Sequence, residues 1–139
     1  MGVLMVYVGS KSRLAPIFVP MFNNLIKDLN ISTYIEPFVG GANIFDKIIC
    51  ENKYGYDKSK TLIALFNQGL KDIDSIPEEG SRTWWDKAKA EYKGEAPQTL
   101  EDWEIGAIQF FASFGTRGFP GGYANNKNNK NYYNERYRN

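Results

Sequence analysis

Apolar side chains recur along the early part of the chain with different periods, and each period predicts an element. Val3, Leu4, Met5, Val6, Tyr7 and Val8 form an unbroken run that reads as a short extended segment, stopped by Gly9-Ser10. Leu14, Ile17, Phe18, Met21, Phe22, Leu25, Ile26 and Leu29 then return at three- and four-residue spacing. That predicts a helix with one apolar face and leaves Asn23, Asn24, Lys27 and Asp28 for solvent. Pro16 and Pro20 fall inside the pattern. An interior proline lacks a backbone donor and crowds the preceding turn, so a kink or restart is expected near Pro20. Thr33, Tyr34 and Ile35 favour extended backbone and predict a buried parallel strand running into Glu36-Pro37. After a Gly40-Gly41 turn, Ile44, Phe45, Ile48 and Ile49 predict a helix over 42–52, with Cys50 as a small core residue within it. Lys53 to Tyr56 predicts a second strand ending at Asp57, and Thr61 to Leu70 a second helix.

Strand, glycine loop, helix, strand, acidic residue and helix open an α/β sheet with right-handed crossovers. Ligands of such sheets sit beyond the carboxyl ends of the strands, where Glu36 to Gly41 and Asp57 fall. The later chain is less regular. Lys71 to Gln98 is polar, and Trp84-Trp85 followed by Lys87, Lys89 and Lys93 predicts one exposed, irregular helix. Thr99 reads as the cap of a further helix with Glu101, Asp102 and Glu104 in its first turn. Its apolar stripe is Trp103, Ala107, Phe110, Phe111 and Phe114, and Gly115 ends it. A loop is expected to about Asn131, where Tyr132, Tyr133, Arg136 and Tyr137 begin a helix that reaches Asn139 without a cap, as if cut short.

Composition narrows the chemistry. At 139 residues, 42% of them hydrophobic and 24% charged, the chain suits one soluble globular domain, and its formal charge is only +1. The charge is uneven. Arg117, Lys127, Lys130, Arg136 and Arg138 face a single acid, Glu135, from Gly115 onward, which suits either an anionic partner or a solvated tail. There is no histidine and only one cysteine, so Cys/His zinc sites, Ser-His-Asp triads, imidazole acid/base catalysis and internal disulfides are excluded. The run from Val3 to Val8 is too short to span a membrane and has no signal-peptide flanks, which gives a cytoplasmic, non-membrane expectation.

Two features suit a nucleotide-like ligand. Glu36-Pro37-Phe38-Val39-Gly40-Gly41-Ala42-Asn43 places adjacent glycines where backbone can approach a ligand against a helix N-terminus. The same residues also suit a plain strand-to-helix turn with a solvent carboxylate. The run matches neither G-x-G-x-x-G nor the phosphate loop with its lysine. Asp57 lies 21 residues beyond Glu36, a spacing that suits a carboxylate gripping a ribose diol and equally suits a helix N-cap.

Tyr7-Val8-Gly9-Ser10-Lys11, Tyr34 to Gly41, Tyr56-Asp57 and Phe114-Gly115-Thr116-Arg117-Gly118 stand in an order that resembles the Dam-type DNA adenine-N6 methyltransferases, especially phage-borne ones. The resemblance implies a partial Rossmann-like, S-adenosylmethionine-dependent methyltransferase domain with a mostly helical or irregular insert. Residues 1–68 would form the cofactor-binding part and 69–139 a target-recognition insert. Tyr7, Gly9 and Lys11 would belong to an N-terminal cofactor loop. Glu36, Pro37, Phe38, Gly40 and Gly41 would line the methionine end of S-adenosylmethionine, and Asp57 would hold its ribose. Arg117, Tyr123, Lys127 and Lys130 would meet double-stranded DNA. The family's catalytic Asp-Pro-Pro-Tyr is absent. The six prolines stand at 16, 20, 37, 77, 97 and 120, and no two adjoin. The resemblance therefore implies no catalytic residue in this chain, no metal, and a fragment inactive alone. An unfinished sheet would leave an open edge through which the chain could self-associate. The rival readings are a non-catalytic nucleotide- or nucleic-acid-binding module of similar fold and a nicotinamide-dependent oxidoreductase, the latter disfavoured by the missing G-x-G-x-x-G.

Overall fold

The computed structural model describes residues 8–69, 81–114 and 118–124. The extended segment expected before Val8 and the helix expected from Tyr132 lie outside the described residues. The chain divides into two compact units, Met1–Lys58 and Ser59–Asn139.

The first unit opens with a 3-10 turn, Lys11–Arg13, capped by the Ser10 hydroxyl, which accepts from the Ser12 N–H at 3.2 Å. Helix α1, Ala15–Asp28, begins with Pro16 in its first turn, where a missing N–H has no helical partner to lose. The helix passes through Pro20 without the expected restart. One donor is lost there, while Phe18, Val19, Phe22 and Ile26 from both halves pack on the cluster of Ala15, Ile44 and Ile48. The apolar stripe is wider than the surface that covers it, for Leu14, Ile17, Met21, Leu25 and Leu29 stay exposed, Ile17 to 66%.

Strands β1, Thr33–Glu36, and β2, Asn52–Gly55, pair in parallel, with Thr33 opposite Asn52 and Glu36 opposite Gly55. Side chains alternate between the faces of a strand, so Tyr34 and Glu36 share one face and Ile35 takes the other. Tyr34 packs towards Phe22 and Phe45 at ring separations of 6.2 and 6.4 Å. Ile35, in contrast, is 57% exposed, so the expected burial of β1 holds for one face only.

The helix expected over 42–52 does not form. A single 3-10 turn, Phe45–Lys47, is followed by Ile48 in extended backbone at ψ 133. The reason lies across the unit, in Asn23, which the periodicity assigned to solvent. Its side chain donates to the Lys47 carbonyl at 3.2 Å and accepts from the Ile49 N–H at 2.9 Å. These backbone groups thus have partners outside any helix, and the β-branched Ile48 and Ile49 favour extension. Cys50 accordingly sits half-buried ahead of β2, beside the same cluster, rather than in a helix.

In the second unit, α2, Lys60–Ala64, runs into a π-helical turn, Leu65–Gly69. Helix α3, Arg82–Lys93, is regular, capped by Ser81 and closed by Gly94 at φ 72. It buries Trp85, Ala88 and Glu91, so the expectation of an exposed, irregular helix is corrected. Helix α4, Asp102–Phe111, is covered on all sides, with every residue from Ile105 to Phe111 buried. The stripe expected from spacing omits Ile105 and Ile108 and includes Phe114, which is exposed. Helix α2 packs on α4 where Gly106 leaves room; a Cβ there would lie 2.3 Å from the Thr61 carbonyl oxygen. Beside that crossing Thr61 Oγ1 donates to Gln109 Oε1 at 2.7 Å. Thr99 does not cap α4. Glu101 does, with Glu104 accepting from its N–H at 2.8 Å, while Thr99 docks on the buried Glu91 carboxylate.

Candidate cofactor-binding site

The residues singled out in the first unit meet at the carboxyl ends of β1 and β2. Glu36 closes β1 with its side chain turned to the covered face and is only 7% exposed. A buried carboxylate needs replacements for water. Lys11 Nζ lies 2.8 Å from Oε1, and the Tyr34 hydroxyl donates to Oε2 at 3.1 Å. Lys11 also donates to the carbonyl of Phe38, so one ammonium joins the N-terminal turn to both the strand end and the loop beyond it. Burial, then the charge of Glu36 and the hydrogen bond to it, push the Tyr34 hydroxyl up to about 12. Tyr34 therefore stays protonated, and a donor, at neutral pH.

After Glu36 the chain remains laced to the segment following β2. Tyr56 N–H donates to the Glu36 carbonyl at 2.9 Å and Val39 N–H to the Tyr56 carbonyl at 2.8 Å. The Gly40 N–H, at a residue with φ 50, then donates to Asp57 Oδ2 at 3.0 Å. Glycine meets the steric demand of that left-handed backbone. Gly41 is buried in the same turn. Beneath it β2 passes close, since a Cβ on Gly55 would lie 3.1 Å from Val39 Cγ2. Asp57 does not cap α2; Ser59 does, accepting from Leu62 N–H at 3.3 Å.

An open cavity of about 500 Å³ borders this loop, lined by Lys11 and Glu36 at its polar part and by Leu14, Phe18, Phe22, Tyr34, Ile35, Pro37, Phe38 and Ile44 elsewhere. Phe38 is 78% exposed at its rim. The polar part offers both charge signs and the wall is apolar and aromatic. The helix expected to begin after the glycines does not form there, since that segment makes only the short 3-10 turn Phe45–Lys47.

Gly9, at φ 76, Lys11, Glu36, Pro37, Phe38, Gly40, Gly41 and Asp57 thus belong to one unit, and Lys11, Glu36, Phe38, Gly40 and Asp57 are linked by bonds. Tyr7 lies outside the described residues. Two participants were not foreseen. Tyr34 could have been found, since strand alternation places it on the face of Glu36 two residues on. Asn43, whose Nδ2 donates to Ser10 Oγ at 2.9 Å, ends the loop singled out from the sequence, but nothing local pairs it with Ser10.

Of the residues expected at DNA, Arg117, Lys127 and Lys130 lie outside the described residues. Tyr123 is half-buried in the second unit, its ring 6.1 Å from that of Trp85 and 5.7 Å from the Arg82 guanidinium. Burial pushes its hydroxyl up, with Arg82 opposing.

A family model for the D12 class N6 adenine-specific DNA methyltransferases matches residues 7–98. The match covers more than half of the sequence, and the chain belongs to that family. Its helices and two-stranded parallel sheet are compatible with part of an α/β methyltransferase fold. No curated protein and no solved structure matches the chain. Among the described residues no helix is long and apolar enough to cross a membrane.

Proposed function

We propose that this chain forms the S-adenosylmethionine-binding part of a site-specific, cytoplasmic DNA adenine-N6 methyltransferase of Rossmann-like fold. The observation that carries this reading is the joining of Lys11, Glu36, Gly40 and Asp57 at the carboxyl ends of two parallel strands. The donor set fits the cofactor. A zwitterionic amino acid calls for a cation and an anion side by side, which Lys11 and Glu36 supply. A ribose diol calls for one carboxylate, which Asp57 supplies. When bound, the cofactor provides an electrophilic methyl group on a sulfonium. The residues of this chain bind and orient: Glu36 and Lys11 fix the amino-acid end, Tyr34 holds the Glu36 carboxylate in place, and Leu14, Phe18 and Phe38 exclude water. Tyr7, Gly9, Pro37 and Gly41 complete the cradle.

Residues 69–139 take the role of target recognition in this reading, with Arg117, Tyr123, Lys127 and Lys130 towards double-stranded DNA. The acceptor-side Asp-Pro-Pro-Tyr is absent from the 139 residues, so the chain by itself transfers no methyl group. An open sheet edge would favour self-association, which light scattering checks; a monodisperse monomer would contradict that part.

Isothermal calorimetry with S-adenosylhomocysteine tests the reading. Saturable binding is expected, abolished in Asp57→Ala, with no binding of NAD. A wild-type chain that ignores S-adenosylhomocysteine, or takes NAD instead, overturns it.

A further inference from the structure

Beyond the residues that would touch the cofactor, we infer that Asn43 is a positioning residue, holding the Lys11 ammonium at Glu36 through Ser10. The part of this that concerns cofactor affinity rests on the function proposed above; the part that concerns Lys11 does not.

Asn43 is 2% exposed, and an amide is costly to bury without a structural return. It follows Ala42, a non-glycine residue at φ 56, so the loop accepts an unfavourable backbone in the turn that presents it. Its Nδ2 donates to Ser10 Oγ across 33 residues of sequence, at 2.9 Å. That same Ser10 oxygen accepts from the Ser12 N–H and so caps the 3-10 turn that begins with Lys11. The tether therefore reaches the backbone from which Lys11 extends.

Lysine is the side chain that most needs such a base. It has four rotatable carbons, and ordering it costs roughly 1.5–2 kcal/mol of rotamer entropy. With a wandering backbone, its ammonium would be shared with water. With Ser10 fixed to the loop that follows Glu36, the ammonium meets Glu36 and the Phe38 carbonyl together. Asn43 bonds to the Ser10 hydroxyl. Its effect on the cradle passes through Ser10 and Lys11.

The whole chain serves for the test, as wild type, Asn43→Ala and Ser10→Ala, the last removing the same bond together with the cap on the Ser12 N–H. The first readout is competitive acetylation of lysine amines followed by mass spectrometry. Wild-type Lys11 is expected to react more slowly than exposed Lys27, and losing one tethering hydrogen bond should speed it about three- to tenfold. Unchanged protection of Lys11 in both variants overturns the inference. If Asn43→Ala does not fold, Asn43→Leu, which keeps the volume and removes the donor while leaving the Ser10 cap, decides.

The second readout is affinity for S-adenosylhomocysteine. Asn43→Ala is expected to weaken binding about three- to tenfold, and that loss should vanish in a Lys11→Met background, because the tether acts through Lys11. An equal loss in both backgrounds overturns the positioning role and leaves a general effect on the loop. A wild-type chain that binds no S-adenosylhomocysteine overturns the proposed function instead, and the acetylation rates still decide where Lys11 is held.

Discussion

The Gly40 amide donates to the Asp57 carboxylate at 3.0 Å, so the turn after β1 is pinned by the acid that follows β2. One side chain thereby pins the loop carrying the proposed methionine contacts and is also the acid proposed to hold the ribose. The two strands are parallel and in register, which brings both of their carboxyl ends to one side of the sheet.

The two tasks of Asp57 separate by substitution. In Asp57→Asn an amide oxygen still accepts from Gly40, so thermal stability should stay near wild type while affinity for S-adenosylhomocysteine falls by about tenfold or more for want of the charge. Asp57→Ala removes both and should also cost about 1–3 kcal/mol in chemical denaturation, the range for a hydrogen bond to a charged group. Wild-type affinity in Asp57→Asn would count against the ribose contact.

Tyr34 gives the first unit an alkaline signature. Its folded-state pKa is raised from 10.0 to about 12, so its contribution is fully present below the unfolded value and is lost as pH rises through the folded one. Absorbance titration of the phenolates should show a component near 12 that is missing in Tyr34→Phe. Amplitude lost near 10 instead of near 12 in Tyr34→Phe would contradict the Tyr34-Glu36 bond.

Glu91 gives the second unit an acid signature. Burial alone would raise its pKa, but the Leu100 N–H at 2.8 Å and the Thr99 hydroxyl and N–H at 2.7 and 2.9 Å, aided by Lys87, outweigh burial and hold it low. The depressed folded value means that the stabilisation is present above the ordinary carboxylate range and is lost as pH falls through the folded pKa. Melting temperatures of wild type and Glu91→Gln should therefore differ at pH 7 and converge in acid below that range. A gap that stays constant as the pH is lowered from 7 until the fold is lost would argue against the linkage.

Gly106→Ala tests the crossing of α2 and α4. The new methyl would meet the Thr61 carbonyl, which is backbone and cannot swing aside, so the helices must part. Overpacking of this kind costs about 1–3 kcal/mol. Urea denaturation should show a lower midpoint despite the better helix propensity of alanine; an unchanged or higher midpoint would mean that the helices do not approach so closely.

Local pattern was enough for α1, both strands and the acid after β2. Those features depend on side-chain period, on glycine's tolerance of positive φ and on residue spacing, all of which can be read from neighbours in the chain. What the pattern misjudged depended on distant partners. Asn23 looked solvent-facing, yet its amide captures the backbone at Lys47 and Ile49 and prevents the helix over 42–52. Thr99 looked like a cap until Glu91, on the preceding helix, supplied a better partner. Asn43 and Ser10, 33 residues apart, had no reason to be paired by sequence. Tertiary structure decided these cases because a polar side chain bonds whatever group the fold brings within about 3 Å, and periodicity records only how often a residue faces inward, not what it meets there.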